Sequence, residues 1–215
     1  MGKIVLATII ISGSAKWLLK VGGNKEKWYG SDRIFMYVMT VFGAMAVNYS
    51  EQCTEYGWVV SNLRLLAGCL LAGGLLSAAY MDRRNCWVYN YVWWWCLPWA
   101  GILGLTAGGG FHGIVAVLVF VMLQQLLFSR MYGKADCHAF SVCALAECGN
   151  TVGIVGFLLQ MFLSVVLLTI VQLFRGNVTP RGRLREPQPF IPYIITAFFS
   201  VTFLESVFRT TYIYA

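Results

Sequence analysis

A chain of 215 residues that is 59% hydrophobic and 12% charged, with a mean hydropathy of +0.68, lies outside the range of soluble globular proteins, where about a quarter of residues carry charge. At roughly 20 residues per span, the length accommodates an all-α, polytopic membrane bundle of about six to eight hydrophobic helices and leaves no room for a separate soluble domain. The net charge of +7 does not point to nucleic acid, because Lys and Arg are dispersed through short loops instead of gathered on one face or tail.

In chain order, apolar segments run over 4–21, 33–50, 58–81, 91–107, 112–130, 137–148, 151–174 and 190–212. Lipid requires each to be helical, since an open strand edge leaves backbone groups without partners. The first has a lysine before it, as a signal peptide would. Lys16 and Lys20 follow with no clear small-residue cleavage site, so it reads as a retained helix. The sixth segment is too short to span alone. It is either a half-helix or runs on past Gly149 and Asn150 into the seventh. Gly176 to Pro189, rich in Pro, Gly and Arg, reads as a loop.

Assigning successive loops to alternate sides puts twelve of the sixteen basic residues on one side: Lys20, Lys25, Lys27, Arg33, Arg83, Arg84, Arg130, Lys134, Arg175, Arg181, Arg183 and Arg185. The opposite loops carry Glu51, Glu55 and Glu147 and no Lys or Arg. The positive-inside rule makes the first side cytoplasmic. Aromatic residues Trp87, Tyr89, Tyr91, Trp93, Trp94, Trp95 and Trp99 crowd the loop after residue 82 and read as an interfacial belt.

Only nine acidic residues are present, and an acid at the end of a membrane helix is paired, solvated or functional. Glu26, Asp32 and Glu186 lie in basic loops and read as solvated or salt-bridged. Glu205 and Arg209 are four apart and read as an ion pair on one helix face. Asp82 and Asp136 each stand where an apolar helix meets a basic turn. If they converge, two carboxyls in a partly dry site share a proton. One then deprotonates a water and the other protonates a leaving amide nitrogen. The competing structural reading is helix capping, with ion pairing to Arg83, Arg84 or Lys134. Cys137 and His138 beside Asp136 lack a further ligand pair, the seven cysteines include no CxxC, and His112 has no partner in the glycine-rich turn 108–113. No metal or other cofactor is expected.

The surroundings of the two aspartates carry a resemblance. Met81-Asp82-Arg83-Arg84-Asn85-Cys86-Trp87-Val88-Tyr89-Asn90 is similar to the first-aspartate motif of the type IV prepilin peptidase family, with Val88 in place of Ile and Asn90 matching the motif's Asn. Gly133-Lys134-Ala135-Asp136-Cys137-His138 resembles the GxGD motif of that family in a GxAD form, and Pro189-Phe190-Ile191-Pro192 resembles the Pro-Phe-x-Pro element that opens its last helix. The likeness covers roughly 58–212. Tyr89 departs from the usual Pro, and His138 from the usual Lys, which removes a fixed charge near the site.

The resemblance implies a membrane aspartic endopeptidase with Asp82 and Asp136 as its catalytic pair, supported by Asn90, Gly133, Ala135 and His138. It would remove the leader from a prepilin-like membrane substrate at the cytoplasmic face of a prokaryotic cell membrane. Residues 58–215 would form the catalytic membrane domain, and 1–57 would add N-terminal helices with a basic loop too short for the family's zinc-bearing methyltransferase insert. Two rival readings remain. One is a small ion or proton-coupled transporter, which calls for acids near the bilayer midplane and two related halves. The other is an inactive peptidase-like scaffold in filament assembly.

Overall fold

A computed structural model describes residues 2–23, 30–52, 57–107, 111–126, 129, 133–147, 153–175 and 188–213. Among them are eight helices and no strand: α1 (Gly2–Val21), α2 (Gly30–Gln52), α3 (Trp58–Asn85), α4 (Asn90–Thr106), α5 (Phe111–Leu126), α6 (Lys134–Glu147), α7 (Gly153–Phe174) and α8 (Ile191–Ile213). Four stretches are long and apolar enough to cross a membrane, namely Gly2–Val21, Trp58–Asn85, Val155–Phe174 and Ile191–Phe208, and Ile114–Leu126 is a shorter apolar helix. The chain is thus a helical membrane bundle.

The centre of the bundle is α3, packed by α1, α2, α4 and α8. Its sequence explains this. Ala67, Gly68, Ala72, Gly73, Gly74, Ser77, Ala78 and Ala79 are all buried, and small side chains let neighbouring backbones approach closely where lipid supplies no hydrophobic drive between helices. A Cβ at Gly73 would collide with Ser14 Oγ of α1, and one at Gly74 with Cys96 Sγ of α4. The outer helices instead turn large apolar side chains outward, for example Val5 and Ile9 on α1, Ile34 and Val38 on α2, and Leu158 and Phe162 on α7.

Helix ends run further than the apolar segments predict. Helix α3 continues one turn past residue 81 to Asn85, and α6 begins at Lys134, so Asp136 lies inside its first turn. Basic residues such as Arg83 and Arg84 in a last turn complement the helix dipole, so charge marks the end of an apolar run but not of the helix. The open question about 137–148 is answered by two rings: Phe140 of α6 and Phe157 of α7 lie 6.2 Å apart. At 1.5 Å per residue a continuous helix would separate them by about 25 Å. The chain therefore reverses between α6 and α7, and α6, about 21 Å long, does not cross a hydrocarbon core of about 30 Å by itself.

The aromatic cluster divides between two roles. Trp87 and Trp94 are exposed, whereas Trp93 is buried. Tyr91 Oη donates to Leu18 O at 2.8 Å and Trp95 Nε1 to Leu70 O at 3.2 Å, tying α4 to α1 and α3. Arg209 and His112 have side chains outside the described residues, as have Cys53, Cys148, Glu26 and Glu186.

Candidate active site

The C-terminal end of α3 and the N-terminal ends of α2, α4, α6 and α8 meet at one end of the bundle, together with Lys20, Arg83, Arg84 and Lys134. Both aspartates lie at this basic end. Asp82, in the last turn of α3, is buried. Its Oδ2 accepts the Ile191 N–H at 3.0 Å, and the Phe190 N–H also donates to this carboxyl. The physical cause lies in α8, which starts at Ile191 with no acidic residue in its first turn. Its leading N–H groups have no partner in the helix itself, and Pro192 contributes none. Asp82, 109 residues away in sequence, caps α8 from outside.

The competing partners expected for Asp82 are engaged elsewhere. Arg84 Nε pairs with Asp32 Oδ2 at 3.0 Å and Arg83 Nε with Asp32 Oδ1 at 3.4 Å. Asp32 opens α2 and is itself buried. The salt-bridged role expected of Asp32 is what the structure contains, and the pair joins α2 to α3. Arg83 also lies over the Phe35 ring, 4.9 Å from its centroid.

Asp136 is the third residue of α6. Its Oδ2 accepts the Gly133 N–H at 3.1 Å, the arrangement in which an acid in the first turn reaches back to the residue before the helix. The capping role is therefore present at this position too. Gly133 suits it sterically, because a Cβ there would stand 3.1 Å from that same carboxylate oxygen. Burial, and secondly the negative charge of Asp82, push the Asp136 carboxyl up to about 7, against the opposing pull of the Gly133 N–H. The second cause means that the two carboxyls lie within electrostatic reach of each other.

Phe190 links the two aspartates physically. Its N–H reaches Asp82, and its ring stands 5.9 Å from that of Phe140 in an edge-to-face contact. Phe140 is one helical turn from Asp136 on the same face of α6. All three stretches picked out by resemblance (the turn after 81, the stretch 133–138 and the stretch 189–192) are thus drawn into one locality.

The supporting residues divide. Gly133 holds Asp136, and Ala135 packs half-buried against the core. His138 is half-buried, with Nδ1 3.3 Å from Gln125 Nε2 and its ring 6.1 Å from Trp93. Burial, and then Lys134, lower its pKa, so it is neutral near pH 7. Asn90 is the first residue of α4 with an exposed side chain, and no hydrogen bond joins it to either aspartate.

Sequence reasoning missed two groups. One is the backbone donors of Phe190 and Ile191, for which the only signal was the Pro-Phe-Ile-Pro stretch. The other lies at the far end of the bundle. There Arg64, buried in α3, donates to Leu103 O and Thr106 Oγ1, both at 3.0 Å. Arg64 and buried Glu147 line one small cavity with Ser50 and Thr202. A lone Arg inside an apolar run was the available sign. Among the described residues, no group of three or more His, Cys, Asp and Glu side chains converges as metal ligands would. No known family pattern, curated protein or solved structure matches the chain.

Proposed function

We propose that the protein is a membrane aspartic endopeptidase whose catalytic pair is Asp82 and Asp136. The observation that carries this reading is the gathering, at one end of a membrane bundle, of two carboxyls from distant segments with their charges coupled. Two backbone donors hold the Asp82 carboxyl in place, and in this reading Asp82 is the base that takes a proton from water. Asp136, which retains its proton to about pH 7, hydrogen-bonds the scissile carbonyl. The hydroxide so formed adds to the carbonyl carbon; as the tetrahedral intermediate collapses, the proton taken up by Asp82 passes to the departing nitrogen and the C–N bond breaks.

The substrate class follows from the resemblance and from the position of the aspartates at the basic end of the bundle. It is a prepilin-like protein, an apolar helix lying in the bilayer with its cleavage point at the cytoplasmic boundary. Neutral His138, standing where the family has a lysine, leaves the pair without a fixed neighbouring cation. The test is co-expression with a prepilin-like substrate and detection of leader removal by gel shift. Wild type cleaves, and Asp82→Asn and Asp136→Asn do not. Cleavage by either variant at a rate near wild type removes the dyad.

One observation favours the proton-coupled carrier as a second reading. Glu147 is buried, with both carboxyl oxygens lacking a hydrogen-bond partner among the described residues, and buried acids in membrane bundles mark proton or ion paths. Proton uptake into proteoliposomes that depends on Glu147, with no proteolysis, selects that reading.

A further inference from the structure

A second basic feature lies beside the aspartates and takes no part in their chemistry. Phe35 of α2, Arg83 of α3, Val171 of α7, Arg175 just after α7, and Pro189, Pro192, Tyr193 and Thr196 at the start of α8 enclose a cavity of about 230 Å³. Two arginines stand in its wall and, among the described residues, no carboxylate does. Arg83 is held in place by Asp32 at its Nε and by the Phe35 ring beneath it. Arg175 is exposed, and its side chain has no partner among the described residues. A guanidinium held by Asp32 and an exposed one, lining the same cavity, match a group with several acceptor oxygens, and phosphate accepts such paired donors.

The surroundings identify the source of the phosphate. On either side of the cavity, α2 presents Ile34, Tyr37 and Val38 outward and α7 presents Ile170, Leu173 and Phe174 outward. In a membrane bundle these are faces for acyl chains. Phe35 and Val171 bring the ends of these same two helices into the cavity wall, so the cavity adjoins both greasy surfaces. A soluble anion gains nothing from those surfaces, whereas a phospholipid lays its chains along them and brings its headgroup into the cavity. The rest of the wall is formed by two prolines, Tyr193 and Thr196, whose hydroxyl donates to Pro192 O at 2.8 Å.

The geometry points to a binding site for the phosphate of an anionic phospholipid, held between Arg83 and Arg175. This site is independent of the peptidase reading. Its occupant lies against Pro189 and Pro192, which flank the backbone donors of Asp82, so the lipid rests on the same stretch that caps α8.

The test uses the full chain in nanodiscs of mixed phosphatidylcholine and phosphatidylglycerol, with retained lipids counted by native mass spectrometry. Wild type keeps phosphatidylglycerol over phosphatidylcholine by about five-fold, the scale of one basic residue near an anionic surface. Arg175→Ala, or Arg175→Gln should the first not assemble, brings that ratio to about one. Lys20→Ala removes the same charge from the same end of the bundle and leaves the ratio unchanged. Equal loss in the Lys20 variant means general surface charge and overturns the site, as does an unchanged ratio in the Arg175 variants. A further arm adds soluble glycerol 3-phosphate or an acidic peptide. Displacement of lipid by neither supports the assignment, and binding of either without phosphatidylglycerol selectivity overturns it.

Discussion

The Ile191 N–H donates to Asp82 Oδ2 across 3.0 Å, joining the last turn of α3 to the first turn of α8. The carboxylate proposed to activate water is therefore also a helix cap, and the two duties separate by substitution. Asp82→Asn keeps an acceptor oxygen and folds with little loss, while leader cleavage falls below detection. Asp82→Ala is equally inactive and loses about 1–2 kcal/mol of stability through the missing cap. Thermal unfolding in detergent beside the cleavage assay checks both. An Asn variant as unstable as the Ala variant contradicts the capping account.

A pH profile tests the division of labour between the aspartates. The proposed mechanism needs Asp136 protonated, and burial with the charge of Asp82 raises it to about 7. Activity is expected to fall as pH rises through about 7, with one proton lost. Because that pKa is raised above 3.8, the group's ionisation opposes folding. Its penalty is absent below about pH 4, grows between there and about 7, and then levels off. Asp136→Asn removes this slope, so at pH 8 the variant is the more stable protein and is inactive. A flat wild-type profile from pH 5 to 9 counts against the assignment.

Asp32 has no catalytic duty here, yet it holds Arg83 and Arg84. Asp32→Asn leaves two cations facing a neutral amide in a partly buried setting. A loss of about 2 kcal/mol is expected, below the cost of breaking a fully buried pair because Arg83 is one-third exposed. Residual cleavage at low temperature separates this structural role from that of Asp82.

At the centre of the bundle, Gly73→Leu places a branched side chain where Ser14 and the Ile11 carbonyl already stand. Overpacking of this kind costs about 1–3 kcal/mol or more, and α1 is the helix displaced. Protease nicking after residue 21, faster than in wild type, reads the displacement directly. Unchanged nicking rates would contradict the close packing of α1 on α3.

Glu147 provides a contrasting expectation. Its carboxyl oxygens are buried without partners among the described residues, and such a group is held at a cost. Glu147→Gln is predicted to keep or raise the melting temperature while peptidase activity stays within about two-fold of wild type, given the mild effect of substitutions away from a site. Collapse of activity in that variant would shift weight to the proton-carrier reading.

Hydropathy and charge made the architecture legible, and the reasons are specific. Lipid leaves one backbone solution, so apolar runs translated into helices, and Lys20, Arg83, Arg84 and Lys134 mark one end of the bundle. The ends of α3 and α6 lie several residues beyond their apolar segments because hydropathy stops at Asp82 and resumes only after Asp136 while backbone hydrogen bonding runs through both. Asp82 and Asp136 stood out because acids are scarce. What the sequence could not carry was partnership across distance. Nothing local to Arg84 says that it turns to Asp32, 52 residues back, and not to Asp82 two residues away. Glu147 read as an outer-loop acid because its burial comes from α3 and α8 closing over it.

The interlock of Gly73 with Ser14 bears on how the molecule can be divided. A boundary near residue 57 falls between helices that grip one another: α1 lies in the groove of α3, and α2 lines α8. A version beginning at residue 58 would present a bare row of glycines and alanines to lipid, with no partner to replace the missing wall. Biochemical dissection of this protein therefore starts from point substitutions in the intact chain, because the amino-terminal quarter is part of what holds the aspartates in register.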